Sequence, residues 1–188
     1  MNWRVILILL AAVGAVALLL WLLQGGSPRV AQEEMLPIEA LPTPTPAPEQ
    51  RIILLYTGAD GMLHPELRSV PLPEEVHERI RIVMGELLAG PTNTSRLAPV
   101  VPYEAAVEAI FVDQQGNAFV DLTAPPEELT GSSTELLLAY GVVNSIILNC
   151  PEIVAVQILY GGSDVETLTG QLYLSEPLVL KKRFLGGS

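Results

Sequence analysis

Three observations predict an α+β fold for residues 51–180: a two-layer sandwich with two helices packed on one face of a small mixed β-sheet. Apolar runs and spacings follow one another in the order strand, strand, helix, strand, strand, helix, strand. Gly, Pro and Asn cluster between these segments and separate them cleanly. The two helical segments differ: the first is apolar on one stripe, and the second is apolar almost all round, as expected of a helix covered on most sides. A single transmembrane helix (5–23) and a Pro-rich linker (24–50) are predicted ahead of this domain.

The leading segment, Val5 to Leu23, holds nineteen consecutive uncharged residues, thirteen of them Val, Ile or Leu. On the insertion scale it favours the bilayer by about 5 kcal/mol, and as a helix it spans roughly 28 Å, one hydrocarbon core. Arg4 precedes it and all 21 acids follow it, so the positive-inside rule puts residues 1–4 in the cytoplasm and the rest outside. Trp3 and Trp21 flank it as interfacial anchors. A cleaved secretory signal is the alternative, because Ala15-Val16-Ala17 has the form of a cleavage site. Cutting there would leave Leu18 to Leu23 as an apolar stub. Gln24 to Gln50 contains six prolines and ends in LPTPTPAPEQ, a semi-rigid polyproline II spacer that reaches on the order of 80 Å when extended.

Within the domain, Arg51 to Thr57 reads as a buried strand ended by the Gly58–Gly61 turn. Leu67 to Leu72 is a shorter partner, restricted by Pro71 to an edge or a strand end. Pro73-Glu74-Glu75 opens a helix whose apolar residues are Val76, Ile80, Val83, Met84, Leu87 and Leu88, and Gly90-Pro91 stops it. Ala105 to Val112 and Ala118 to Leu122 flank a hairpin connection at Asp113–Asn117. Ser132-Ser133-Thr134-Glu135 fits a capping box before the apolar helix Leu136 to Leu148. Ile153 to Tyr160 is the most strand-like run, and Leu172 to Leu180 is expected to add a short final strand. Residues 181–188 form a basic tail, expected to fray.

Composition narrows the function. The chain carries a formal charge of −11, and the part beyond Arg4 has nine basic residues against 21 acids, which disfavours nucleic acid and anionic lipid as partners. Cys150 is alone, so no intrachain disulfide staples the fold. His64 is expected in a solvated loop and His77 on the polar side of the first helix. No GxSxG, HExxH or Cys-His pattern accompanies them. Paired carboxylates for a wall hydrolase could be drawn from Asp60, Glu66, Asp113 or Asp121, yet no spacing selects two of them. Asp113 to Asn117 offers too few oxygens for calcium, so a plain turn is preferred. No catalytic residue, cofactor or metal is expected.

Five blocks carry a resemblance. ILLYTGADGMLHPELRSVPLP, ELLAGP at Glu86 to Pro91, AFVDLT at Ala118 to Thr123, YGVVNSIILNCPEI at Tyr140 to Ile153 and VQILYGG at Val156 to Gly162 occur in the order of a GerMN domain. The resemblance covers nearly all of residues 51–180. It implies an exported module of the bacterial cell envelope, tied to sporulation or germination, in a family whose relatives resemble ring-building modules of secretion and sporulation machinery. Family members are often lipoproteins and some carry two copies; here an apolar helix replaces the lipidated Cys and one copy is present. The expected role is a non-enzymatic binding or assembly module, with an envelope protein as partner and self-association as one form of it. Peptidoglycan or glycan binding is the alternative, for which Tyr103 and Tyr173 are the available stacking platforms. Asp121, an acid inside an apolar strand, is the third contact candidate, with capping of the Thr123-Ala124-Pro125 turn as its structural reading.

Overall fold

A computed structural model describes Trp3 and residues 14–21, 47–102, 104–123 and 132–186. The chain divides into two compact units, Met1–Pro44 and Thr45–Ser188. In the first unit residues 14–21 are helical, while the rest of the expected anchor and the linker up to Pro46 lie outside the described residues. Among the described residues, no helix is long and apolar enough to cross a membrane.

The second unit contains β1 (Glu49–Gly58), β2 (Leu63–Pro71), α1 (Val76–Leu88), β3 (Leu97–Ala98), β4 (Val107–Val112), β5 (Asn117–Leu122), α2 (Ser132–Asn149), β6 (Ala155–Tyr160) and β7 (Ser163–Asp164), and ends in a 3-10 turn at Lys182–Phe184. The class is α+β as expected, but the single sheet is corrected to two. One sheet has the order β2-β1-β3 and the other β4-β5-β6-β7.

Side chains of α2 account for the division. The Ile53 N–H donates to Asn149 Oδ1 at 2.9 Å, Asn149 Nδ2 donates back to the Ile53 carbonyl at 2.7 Å, and the Leu55 N–H donates to Ser145 Oγ at 3.1 Å. These bonds occupy the edge of β1 where another strand would otherwise pair, so the backbone is satisfied without a ladder. The second sheet is built locally. A hairpin joins β4 to β5, and β5 pairs in parallel with β6 across the α2 crossover, with Ala118 opposite Val156 and Leu122 opposite Tyr160.

β1 and β2 are both longer than expected. The turn between them closes with the Gly58 N–H on the Met62 carbonyl at 2.8 Å and places Gly61 at φ 72°, where glycine is favoured. Pro65 interrupts nothing. It lies opposite Leu55, whose own N–H points away to Ser145, so the missing proline donor falls on the outer edge.

α1 starts at the Glu75 cap, whose carboxylate accepts from the His77 and Glu78 N–H groups, and it buries Ile80, Val83, Met84 and Leu87. α2 buries Leu138, Ala139, Val142, Val143 and Ile146 completely. Its Gly141 has a packing role: a Cβ there would stand 2.6 Å from Val100 Cγ1. Gly141→Ala is therefore expected to destabilise by about 1–2 kcal/mol, overpacking outweighing the helix propensity gained. Urea denaturation measures it; a stabilised variant would contradict this packing.

Two C-terminal expectations are corrected. Leu172 to Leu180 makes only an isolated bridge, with Val156 and Leu178 exchanging two 2.8 Å bonds. The tail does not fray at residues 181–186. Asn144 Oδ1 accepts the Lys181 N–H at 3.0 Å and its Nδ2 donates to the Lys181 carbonyl. Phe184 stacks on Tyr140 with centroids 4.5 Å apart, and the Gly186 N–H donates to the Leu63 carbonyl.

Candidate functional site

The β1–β2 hairpin end and the loop that follows α1 face each other across an open cleft of about 470 Å³. Local structure fixes both walls. On the hairpin side, both oxygens of Asp60 lie 3.0 Å from His64 Nε2, and Asp60 Oδ1 also accepts the Met62 N–H. The His64 bond, followed by the Met62 bond, holds the Asp60 carboxyl below the usual range. His64 sits on β2 and not in a solvated loop, which corrects that expectation. Its ring lies between two glycines: a Cβ on Gly58 would approach it to 2.5 Å, and one on Gly186 would also collide with it.

On the loop side, Glu66 accepts the Thr92 N–H at 3.0 Å and the Asn93 carbonyl accepts the Arg96 and Leu97 N–H groups. Pairing of Leu97 with Gly58 then ties this loop to the hairpin. Arg96 is exposed at the cleft, and its guanidinium has no hydrogen bond or ion pair with a described residue.

Beneath the cleft, Arg68 reaches Glu66 at 2.7 Å and Glu86 at 2.9 Å, and also donates to the carbonyls of Glu86 and Gly90. The Tyr56 hydroxyl donates to the same two carbonyls, and burial pushes its pKa up to about 12. The ELLAGP segment thus ends α1 on an arginine and a tyrosine that satisfy its last carbonyls.

The other acids considered for chemistry are engaged as well. Asp113 Oδ1 accepts the N–H groups of Gln115 and Asn117, and Oδ2 accepts from Asn117 Nδ2, forming a closed turn. Asp121 is buried and accepts the Gly162 N–H at 3.0 Å, so it ties β5 to the turn after β6; Ala124 and Pro125 of the turn it was expected to cap lie outside the described residues. Tyr103 lies outside the described residues. Tyr173 is 70% exposed beside a second cleft of about 280 Å³ lined by Glu166, Thr167, Gly170 and Leu172. Among the described residues, no bond links Asp121 to Tyr173, and no three His, Cys, Asp or Glu side chains converge on a metal position.

Glu135 was not visible as a buried group. It does not serve the expected capping box, since α2 already begins at Ser132. The carboxylate is fully buried and accepts from Thr167 Oγ1, the Leu168 N–H, Thr169 Oγ1 and the Gln171 N–H at 2.6–2.9 Å. Burial alone would raise its pKa, and these four donors override burial and bring it to about 2. Phe111 was also missed. It is 62% exposed on β4, with its ring 6.0 Å from that of Phe119.

These features define an α+β domain of two sheets organised by one buried helix. The chain belongs to the Germane family, described as sporulation and spore germination, whose profile matches residues 54–166. It is similar in fold to the tandem GerMN domains of the sporulation protein GerM from Bacillus subtilis (TM-score 0.54, 15% identity), with 80% of this chain and 50% of that one covered. It thus spans half the length of that tandem structure. Weaker likenesses are the first GerMN domain of the same protein (TM-score 0.46, 15% identity, 68% of this chain and 97% of that one) and a candidate lipoprotein from Clostridium perfringens (0.49, 18%, 70% and 87%). No curated protein matches the sequence.

Proposed function

We propose that this chain is a non-enzymatic module, held to the outer face of the membrane by residues 5–23, whose domain binds a protein partner in the bacterial cell envelope during sporulation or germination. The unequal protection of its sheet edges carries this reading. The inner edge of β1 is capped by Asn149 and Ser145. The outer edge of β2 is interrupted by Pro65 and Pro71 and covered at Leu63 by Leu185 and Gly186. By contrast, β4 is the terminal strand of its sheet. The bond from the Asp113 N–H to the Asn117 carbonyl sets the alternation that turns the backbone groups of Ile110 and Val112 outward. Among the described residues, none bonds to them. Exposed Phe111 lies on the same strand, and exposed Val154 donates its N–H to Gly116 in the β4–β5 turn. β4 also packs against α1, so what it offers is unbonded backbone groups beside the exposed Phe111 side chain, which suits lateral packing of a partner protein or a second copy.

The engagement of Asp60, Glu66, Asp113 and Asp121 in structural bonds supports a role without hydrolysis. Tyr173 beside its cleft favours the second reading, in which the domain binds a glycan of the wall by stacking.

Phe111→Glu is expected to weaken capture of the envelope partner at least tenfold while changing stability by no more than about 0.5 kcal/mol, because the side chain is exposed. Affinity purification of the full chain from membranes, compared with and without the substitution, checks it. Undiminished capture by the variant, or binding to purified peptidoglycan alone, would overturn the β4 reading.

A further inference from the structure

We propose that the cleft between the β1–β2 turn and residues 91–97 binds a small zwitterion: an amino acid or short peptide with a free amine and a free carboxylate. This site is separate from β4 and stands whether or not β4 recruits a protein.

The two walls carry opposite charges supplied by different elements. Asp60 comes from the hairpin and its carboxylate remains about half exposed, so it has lone pairs left for an ammonium group. Arg96 comes from the loop, and its guanidinium is shaped to take a carboxylate through two parallel bonds. Arg68 is paired with Glu66 and Glu86, Arg79 with Glu152 and Arg81 with Glu78, and Arg183 lies on the Phe184 ring; among the described residues that leaves Arg51 on β1, which does not line the cleft, and Arg96, which does. At the cleft the Arg96 guanidinium is therefore free to meet a carboxylate supplied from outside. The acidic field of the domain repels a ligand that is simply anionic, whereas a molecule of zero net charge escapes that penalty.

The cleft is also built rather than incidental. Gly58 and Gly186 both leave space that the His64 ring fills, and Asp60 fixes the ring from the side. Leu97 adds an apolar surface to the lining. The volume falls within the range of roughly 300–1,000 Å³ typical of small-molecule sites.

The test titrates alanyl-alanine, with both ends free, into the full chain in detergent, followed by the amide NMR signals of Ala59, Asp60 and Arg96. N-acetylated and C-amidated forms serve as probes of each end. Binding of the free dipeptide is expected, with a loss of tenfold or more when either end is blocked. Arg96→Gln should weaken the free and N-acetylated forms but leave the C-amidated form unchanged, and Asp60→Asn should do the converse. A preference for the D,D over the L,L dipeptide would support the site and point to wall peptides as the source; the reverse preference would support it and point to protein-derived peptides. No binding of any form at millimolar concentration by the folded wild-type chain would overturn the proposal, as would equal losses for free and blocked dipeptides in the variants. Phe111→Glu should bind the dipeptide normally, which keeps failure here distinct from failure of the β4 reading.

Discussion

Glu135→Ala is expected to lower the unfolding free energy by about 3–5 kcal/mol, the largest single effect in this domain. The substitution removes the common acceptor of four donors in the 167–171 segment and leaves a void in a site with no exposure. Glu135→Gln keeps the shape but replaces one acceptor oxygen with a donor, so about 2 kcal/mol is expected. The pH dependence separates charge from shape. The Glu135 carboxyl is depressed from 4.5 to about 2 on folding, so its charged form contributes stability that is complete above the unfolded value and is lost as pH falls from about 4.5 toward 2. That shift corresponds to roughly 3 kcal/mol. Urea denaturation at pH 7 and pH 2.5 should show a smaller acid loss in Glu135→Gln than in wild type. Equal acid losses would refute the buried-anion assignment.

Asn149→Ala is expected to cost about 2–4 kcal/mol. Its side chain accepts from the Ile53 N–H and donates to the carbonyls of Ile53 and Ser145. Truncation leaves a β1 donor and acceptor facing the former amide without partners, which costs more than the loss of one ordinary hydrogen bond. Asn149→Asp is the informative companion, since it retains the acceptor but cannot donate to Ile53. Hydrogen exchange at the Ile53 amide should accelerate strongly in the alanine variant and less in the aspartate one. Unchanged protection in both would show that α2 does not hold the β1 edge.

These two residues show where sequence reading succeeds and where it stops. β1, α1, β5, α2 and β6 were legible because each announces itself locally, through an apolar run, a 3.6-residue spacing or a Gly-Pro stop. Division into two sheets was not, because it depends on Asn149 and Ser145 meeting a strand about ninety residues earlier in the chain. Asn149 looked only like a helix end. Glu135 stood at the right place for a capping box, and nothing near it in sequence announces the donors of Thr167 and Thr169. Asp121 was noticed as an acid among apolar residues, a real signal, though its partner proved to be Gly162. For the cleft, Asp60 and His64 were noted separately, one among several acids and the other as a solvated loop residue, and neither their pairing nor the ring's position between Gly58 and Gly186, which needs the tail to fold back, was read from the sequence. Phe111 was passed over because an aromatic residue in a strand is ordinarily core, and only its place on the outer strand exposes it.

Photo-crosslinking in the native envelope tests the assembly reading most directly. With p-benzoylphenylalanine replacing Phe111 in the full chain, irradiation should yield a discrete adduct with one envelope protein or with a second copy, while the same probe replacing Leu67 on the proline-blunted β2 edge should yield none. Adducts at Leu67 alone, or none at either position in cells that complete sporulation or germination normally, would contradict it.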